Sequence, residues 1–141
     1  MASWQQFAES APDLAAPIRA RLTATKHHVL ATLRKTGAPR VSGTEIVLTE
    51  DGHLRIGSMP DAQKGRDLKR DGRFALHANP GDGSMDGGDA KLSGLATALP
   101  SEDSDLFELD IREAVLTTVE NDELVIRFWT PEGGVREIRR K

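Results

Sequence analysis

The segment 53-HLRIGSMPDAQKGRDLKRDGR-73 joins an alternating strand, a polar turn and a short helix, and its reading decides the fold. Leu54, Ile56 and Ser58 fall on one side of a two-residue period, so HLRIGS reads as a strand with one core-facing side. Residues 61–71 then read as a helix whose first turns carry Lys64 and Arg66. The first N–H groups of a helix lack intrahelical partners, and the peptide dipoles make that end effectively positive. Ser58, Gln63 and Lys64 around such an end form a candidate cradle for a phosphate or another anion. The competing reading is an amphipathic surface helix whose Lys69, Arg70 and Arg73 complement its own C-terminus.

Outward from this unit the same period recurs. Upstream, HHVLATLR (27–34) places Val29, Ala31 and Leu33 on one face, and the Lys35-Thr36-Gly37 turn leads into a long strand, PRVSGTEIVLT. Asp51-Gly52 is a hairpin signal, because both residues accept positive φ. Downstream, FALHAN alternates through Phe74, Leu76 and Ala78. A Gly/Asp-rich loop (80–90) separates it from AKLSGLATAL, FELDIREAVLTTV (one strand or two), ELVIRFWT and GVREIRR. Apart from the 61–71 helix, helical spacing is confined to the first two dozen residues, with Trp4, Phe7, Leu14, Ile18 and Leu22 on one apolar face. Pro12 divides them into a short helix and a longer one, and Pro17 fits only in a first turn. Many short strands with few helices predict a mainly β chain, a closed or partly closed antiparallel barrel spanning residues 1–141 as one domain.

Bulk properties narrow the function. A 141-residue chain that is 38% hydrophobic and 29% charged can bury a core without disulfides or metals. It has no cysteine, which removes disulfide scaffolds, thiolate zinc sites and cysteine nucleophiles. A net charge of −3 with mixed signs gives no broad footprint for nucleic acid. The start, MASWQQFAESAPDL, has neither a basic n-region nor an apolar run, so no membrane segment and a cytoplasmic location are expected.

The usual catalytic signatures G-x-S-x-G, the P-loop and H-E-x-x-H do not occur. The pair Gly81 and Gly83 follows a strand but opens no helix, which argues against a dinucleotide fold. His27 and His28 are strand neighbours pointing to opposite faces, and no spacing among His27, His28, His53 and His77 resembles a metal motif. Asp82, Ser84, Asp86 and Asp89 lack the bidentate glutamate of a calcium loop. Glu45 is expected to face outward; facing inward, it would have to be paired or functional.

The ordered elements HVLATLRKTGAPRVSGTEI, hairpin, LRIGSMPDAQKGRDLKRDGRFALHANP, loop and AKLSGLATAL resemble the pyridoxamine 5′-phosphate oxidase-like flavin-binding proteins. Gln63-Lys64, Arg66-Asp67-Leu68, Asp71-Gly72-Arg73 and Gly37-Ala38-Pro39-Arg40 carry that resemblance, which covers roughly residues 26–99. It implies a Greek-key split antiparallel β-barrel with an N-terminal helix and one short inserted helix. It also implies a homodimer with cofactor sites at its interface. The cofactor would be FMN or a deazaflavin (coenzyme F-420), with haem in some branches, and the activity an oxidoreductase acting on a small-molecule redox substrate. By the same resemblance, Gln63 and Lys64 contact the cofactor phosphate, with Gly57 and Ser58 close by. Arg40, Val41 and Ser42 lie along the ring system, and Lys91 is a further basic contact. No catalytic residue is implied. The second strand lacks the lysine of an R-x-x-x-x-K pattern and the C-terminus lacks Arg-x-His, so the resemblance does not extend to pyridoxal phosphate synthesis. The alternative is a barrel that binds haem without turnover, with His27, His28, His53 or His77 as axial ligand.

Overall fold

The computed structural model describes residues 1–82 and 84–141. In chain order the elements are α1 (Trp4–Ser10), α2 (Pro12–Ala24), β1 (His27–Leu33), β2 (Pro39–Glu45), β3 (Val47–Leu48) and β4 (Leu54–Ser58). There follow α3 (Gln63–Arg70), β5 (Arg73–His77), β6 (Asp89–Leu99), β7 (Asp105–Glu120), β8 (Glu123–Thr130) and β9 (Gly134–Arg140). The strands pair antiparallel in the order β2-β1-β5-β6-β7-β4-β3, with β8 and β9 continuing from β7. This mainly β architecture matches the expected split antiparallel barrel.

Strand β7 makes the split. Its first residues pair with β4 (Arg55 opposite Glu108, Ser58 opposite Asp105), and its last seven pair with β8. Between these stretches the register against β6 shifts at Ser93/Gly94, leaving Arg112 as the extra residue of a β-bulge. Glycine is required at 94, since a Cβ there would run into the backbone carbonyl of Asp110. FELDIREAVLTTV is therefore one strand that bends to serve two sheet halves.

The two-residue periods hold where expected. Leu54, Ile56 and Ser58 of β4, and Phe74 and Leu76 of β5 with Ala78 just beyond it, are all buried. PRVSGTEIVLT, expected as one strand, is broken at Ile46 into β2 and β3, which take different neighbours: β1 for the first and β4 for the second. On β1 the side facing the core carries His28, Leu30 and Thr32, while Val29 faces solvent. His28 is 2% exposed and joins two elements. Its Nδ1 accepts the Asn79 N–H at 3.0 Å, and its Nε2–H donates to the Leu22 carbonyl at 2.8 Å.

Two helices, the short one and the longer one that Pro12 divides, cover the sheet at the N-terminus. A capping box between Ser3 and Gln6 opens α1, and Pro12 opens α2 at its first residue. Pro17 is the sixth residue of α2, inside the helix and past the first turn, the only place where the sequence expects it to fit. Its missing N–H leaves the Asp13 carbonyl without an intrahelical donor. Burial of the flanking Leu14, Ala15, Ile18 and Leu22 holds the helix in place despite that loss. Phe7, fully buried, sits edge-on to Trp4 (ring centroids 5.3 Å apart) and against Trp129 of β8 (4.9 Å). Trp129 is covered by the chain's own α1 and donates its indole N–H to Ser10 Oγ at 3.1 Å. No described helix is long and apolar enough to cross a membrane.

Candidate functional site

The turn before α3 follows from Pro60 and Asp61. Ala62 N–H bonds back to the Met59 carbonyl at 3.1 Å, and Asp61 has φ 62°, as the third residue of a type II turn requires. The chain then enters α3 with Ala62 at the N-cap, a residue that cannot cap with its side chain, and no side-chain cap bond is made. The contrast with the fully boxed start of α1 is plain. The N–H groups of Gln63, Lys64 and Gly65 are the orphan donors of this first turn. Gly65 lets the turn sit close, since a Cβ would lie 3.1 Å from Asp105 Oδ2 and 3.3 Å from Ser58 Oγ.

Two cations meet at this end. Lys64, half-buried, extends along β2, its ammonium donating to the Gly43 carbonyl at 3.1 Å and Thr44 Oγ1 at 3.4 Å. Burial lowers its pKa below the usual lysine value, partly offset by the Glu45 carboxylate. Arg40 donates from Nε to Asp67 Oδ2 at 2.7 Å, while its Nη2 reaches Gln63 Oε1 at 3.5 Å. Asp67 is buried and also accepts from Thr32 Oγ1 (2.7 Å) and Arg70 Nη2 (2.9 Å). Burial pushes its carboxyl up, but the bonds from Arg40, Thr32 and Arg70 outweigh that and hold it below the ordinary carboxylate value.

Arg40, Gln63 and Lys64 are thus brought together. Ser42 lies on the same side of β2 as Arg40, whereas Val41, 70% exposed, alternates to the outer face. Gly57 is exposed with open space beside it. Ser58 is buried, and its hydroxyl donates to the Met59 carbonyl at 3.1 Å. Lys91 stands apart from the cluster: β6 is three places from β2 in the sheet, about 14 Å at the usual strand spacing. It lines a shallow outer hollow of about 330 Å³ with Val29, His77, Ser93, Glu113 and Val115.

Glu45 faces solvent, as expected, 3.4 Å from His27. His53 is held by Glu108 at 2.7 Å, and His77 donates from Nδ1 to the Ala78 carbonyl at 2.6 Å, leaving Nε2 free to accept. Among the described residues no group of three or more His, Asp or Glu is placed to hold a metal. Gly83 of the 81/83 glycine pair lies outside the described residues. The sequence reading missed Asp67 as the hub of the cluster. Its helical position three and four residues past Lys64 and Gln63 was a usable signal, but its partners Thr32 and Arg40 are distant in the chain.

No protein-family model and no curated protein matches the chain. Solved structures do. A pyridoxamine 5′-phosphate oxidase-related, FMN-binding protein from Nostoc punctiforme PCC 73102 superposes with a TM-score of 0.69 at 10% identity, covering 92% of this chain and 95% of that one. PhzG from Burkholderia lata 383, solved with tetrahydrophenazine-1-carboxylic acid, gives 0.67 at 14% identity, covering 92% and 89%. A haem-binding protein from Mycobacterium smegmatis gives 0.54 at 16% identity, covering 89% and 87%. These likenesses, each running over about nine-tenths of the chain, show that it has the split-barrel fold of the pyridoxamine 5′-phosphate oxidase-like proteins.

Proposed function

We propose that this protein is a flavin- or deazaflavin-dependent oxidoreductase that holds the cofactor phosphate at the N-terminus of α3. One observation carries the reading. Lys64 is a half-buried cation that, among the described residues, hydrogen-bonds to neutral oxygens alone, beside three orphan N–H groups and an arginine whose Nη2 reaches Gln63 of the same turn. A phosphate monoester or diester supplies the missing negative charge and the acceptor oxygens. The residues present therefore fit the phosphate end of FMN or of coenzyme F-420.

A bound flavin or deazaflavin supplies the hydride and electron chemistry. The chain's own residues bind and orient. Lys64, Gln63 and the α3 amides hold the phosphate, Arg40 approaches it from β2, and Val41 and Ser42 offer the strand along which the ring would lie. None of these groups is assigned a proton-transfer role. Ser58 and Gly57 shape the floor, and Lys91 belongs to a site only if a second copy brings its cofactor to the outer face.

That face supports a homodimer. The ladder register puts Val41, Val29, Val119 and Ile138 on one side of the sheet at 70%, 39%, 52% and 48% exposure, apolar side chains that a second copy would cover. Sedimentation at micromolar concentration checks this, and a clean monomer counts against it.

The cofactor assignment is tested by equilibrium binding of FMN, coenzyme F-420 and haem to the apoprotein, followed by tryptophan fluorescence. Flavin-type binding is expected, weakened by Lys64→Ala roughly 10- to 100-fold, the loss of a charge-assisted hydrogen bond. Unchanged affinity in Lys64→Ala refutes the phosphate assignment. Haem binding alone, with a Soret band, moves the protein to the binding class. Both ring nitrogens of His28 are committed, so the axial candidates are then His53 and His77, each hydrogen-bonded through Nδ1, and the exposed His27.

A further inference from the structure

We propose that Asp67 is the positioning residue of the phosphate site: it fixes the guanidinium of Arg40 from the inside, so that the outer nitrogens present to the α3 N-terminus. The inference rests on the flavin reading above and goes beyond it by assigning a role to a residue that never meets the cofactor.

The geometry is asymmetric. Asp67 is 2% exposed and takes Arg40 by Nε alone, at 2.7 Å, leaving both terminal nitrogens unspent on it. Nη2 lies on the Gln63 side, 3.5 Å from Oε1. The other carboxylate contacts tie the clamp to the barrel. Thr32 Oγ1 donates from β1 at 2.7 Å to the same oxygen as Arg40. Arg70 bridges Asp67 Oδ1 at 2.9 Å and the Leu33 carbonyl at 2.8 Å. One carboxylate therefore joins β1, β2 and α3, the three elements whose meeting creates the site.

Arginine is a long side chain whose fork must be pre-oriented to meet a phosphate in a two-pronged way. Lysine at 64 cannot supply that, because its ammonium is a point charge. A carboxylate near a phosphate would ordinarily repel it. Here two arginines face Asp67, so Arg40, Arg70 and Lys64 outweigh it and the cluster keeps a net positive charge.

The test compares FMN with riboflavin, which lacks only the phosphate, in wild type and Asp67→Asn. Wild type is expected to prefer FMN, and Asp67→Asn to lose that preference by 5- to 30-fold while its riboflavin constant moves less than twofold. A merely structural role would weaken both ligands alike, and that result, or an unchanged preference, overturns the inference. Should Asp67→Asn fail to fold, as judged by circular dichroism, Asp67→Glu carries the test, because it keeps the charge but displaces by one methylene the carboxylate that holds Arg40 Nε. Its FMN preference is expected to fall at least fivefold, and no fall overturns the inference. If wild type binds both flavins without preferring FMN, or binds neither, the underlying phosphate or flavin reading is what fails, and Asp67 falls with it. Loss of preference only in the variants is the outcome specific to Asp67.

Discussion

Phe7→Ala tests whether the N-terminal helices are part of the barrel's core or merely laid against it. Phe7 is fully buried between Trp4 and Trp129, so truncation removes a ring from contact with both. Loss of its transfer free energy costs about 2 kcal/mol. Each aromatic contact adds about 1 kcal/mol beyond area, which brings the total near 4 kcal/mol, inside the usual range of about 3–5 for Phe→Ala. An unfolding entropy of about 2.1 cal/mol/K per residue over 141 residues converts this to a Tm drop of about 13 °C. Urea unfolding followed by circular dichroism, at two protein concentrations, measures it. The loss should not depend on concentration, since Trp129 is sealed within the subunit by Phe7 and Ser10. A cost under 1 kcal/mol, or one that disappears on dilution, refutes the argument. It would mean that α1 is peripheral or that a partner subunit covers Trp129.

Three other outcomes follow from the structure. Gly94→Ala should cost about 3 kcal/mol in urea unfolding, because a Cβ there forces β6 away from the Asp110 carbonyl and breaks ladder bonds at the bulge; a loss below 1 kcal/mol would contradict that packing. Bonds from Arg127 and Thr118 hold the Glu120 carboxyl at about 2, below its ordinary 4.5. The stability this gives is present above about pH 4.5 and is lost as pH falls toward 2, so the advantage of wild type over Glu120→Gln should shrink across that window; a difference constant from pH 7 to 2 contradicts the linkage. For Lys64 the sign is opposite. Its lowered pKa means that the fold disfavours its charge, a penalty relieved as pH rises toward 10.5. Bound FMN should therefore raise the Lys64 titration midpoint in an NMR titration, and a midpoint that does not move places the phosphate elsewhere.

By itself the sequence determined what depends on near neighbours. The alternation of Leu54-Ile56-Ser58 and Phe74-Leu76-Ala78 set two core-facing strands. Asp51-Gly52 set a hairpin in which Gly52 has φ 88°. The spacing of Trp4, Phe7, Leu14, Ile18 and Leu22 set the buried face of the N-terminal helices. The position of Lys64 at the start of α3 was legible for the same reason, since turn and helix chemistry act within a few residues. Tertiary structure decided the rest. Apolar residues occur on both faces of β1, so only its pairing could show that Leu30 enters the core and Val29 does not. Ile46 ends β2 because β1 and β4 claim different parts of one extended run. Asp67 became a hub because sheet closure brought Thr32 and Arg40 to it, 35 and 27 residues away in the chain. Lys91 on β6 was separated from Arg40 on β2 by three strand spacings that no local period records. Local propensity fixes which side of each element is apolar. Which element it meets, and hence which charges share a site, is fixed by the long-range pairing that closes the barrel.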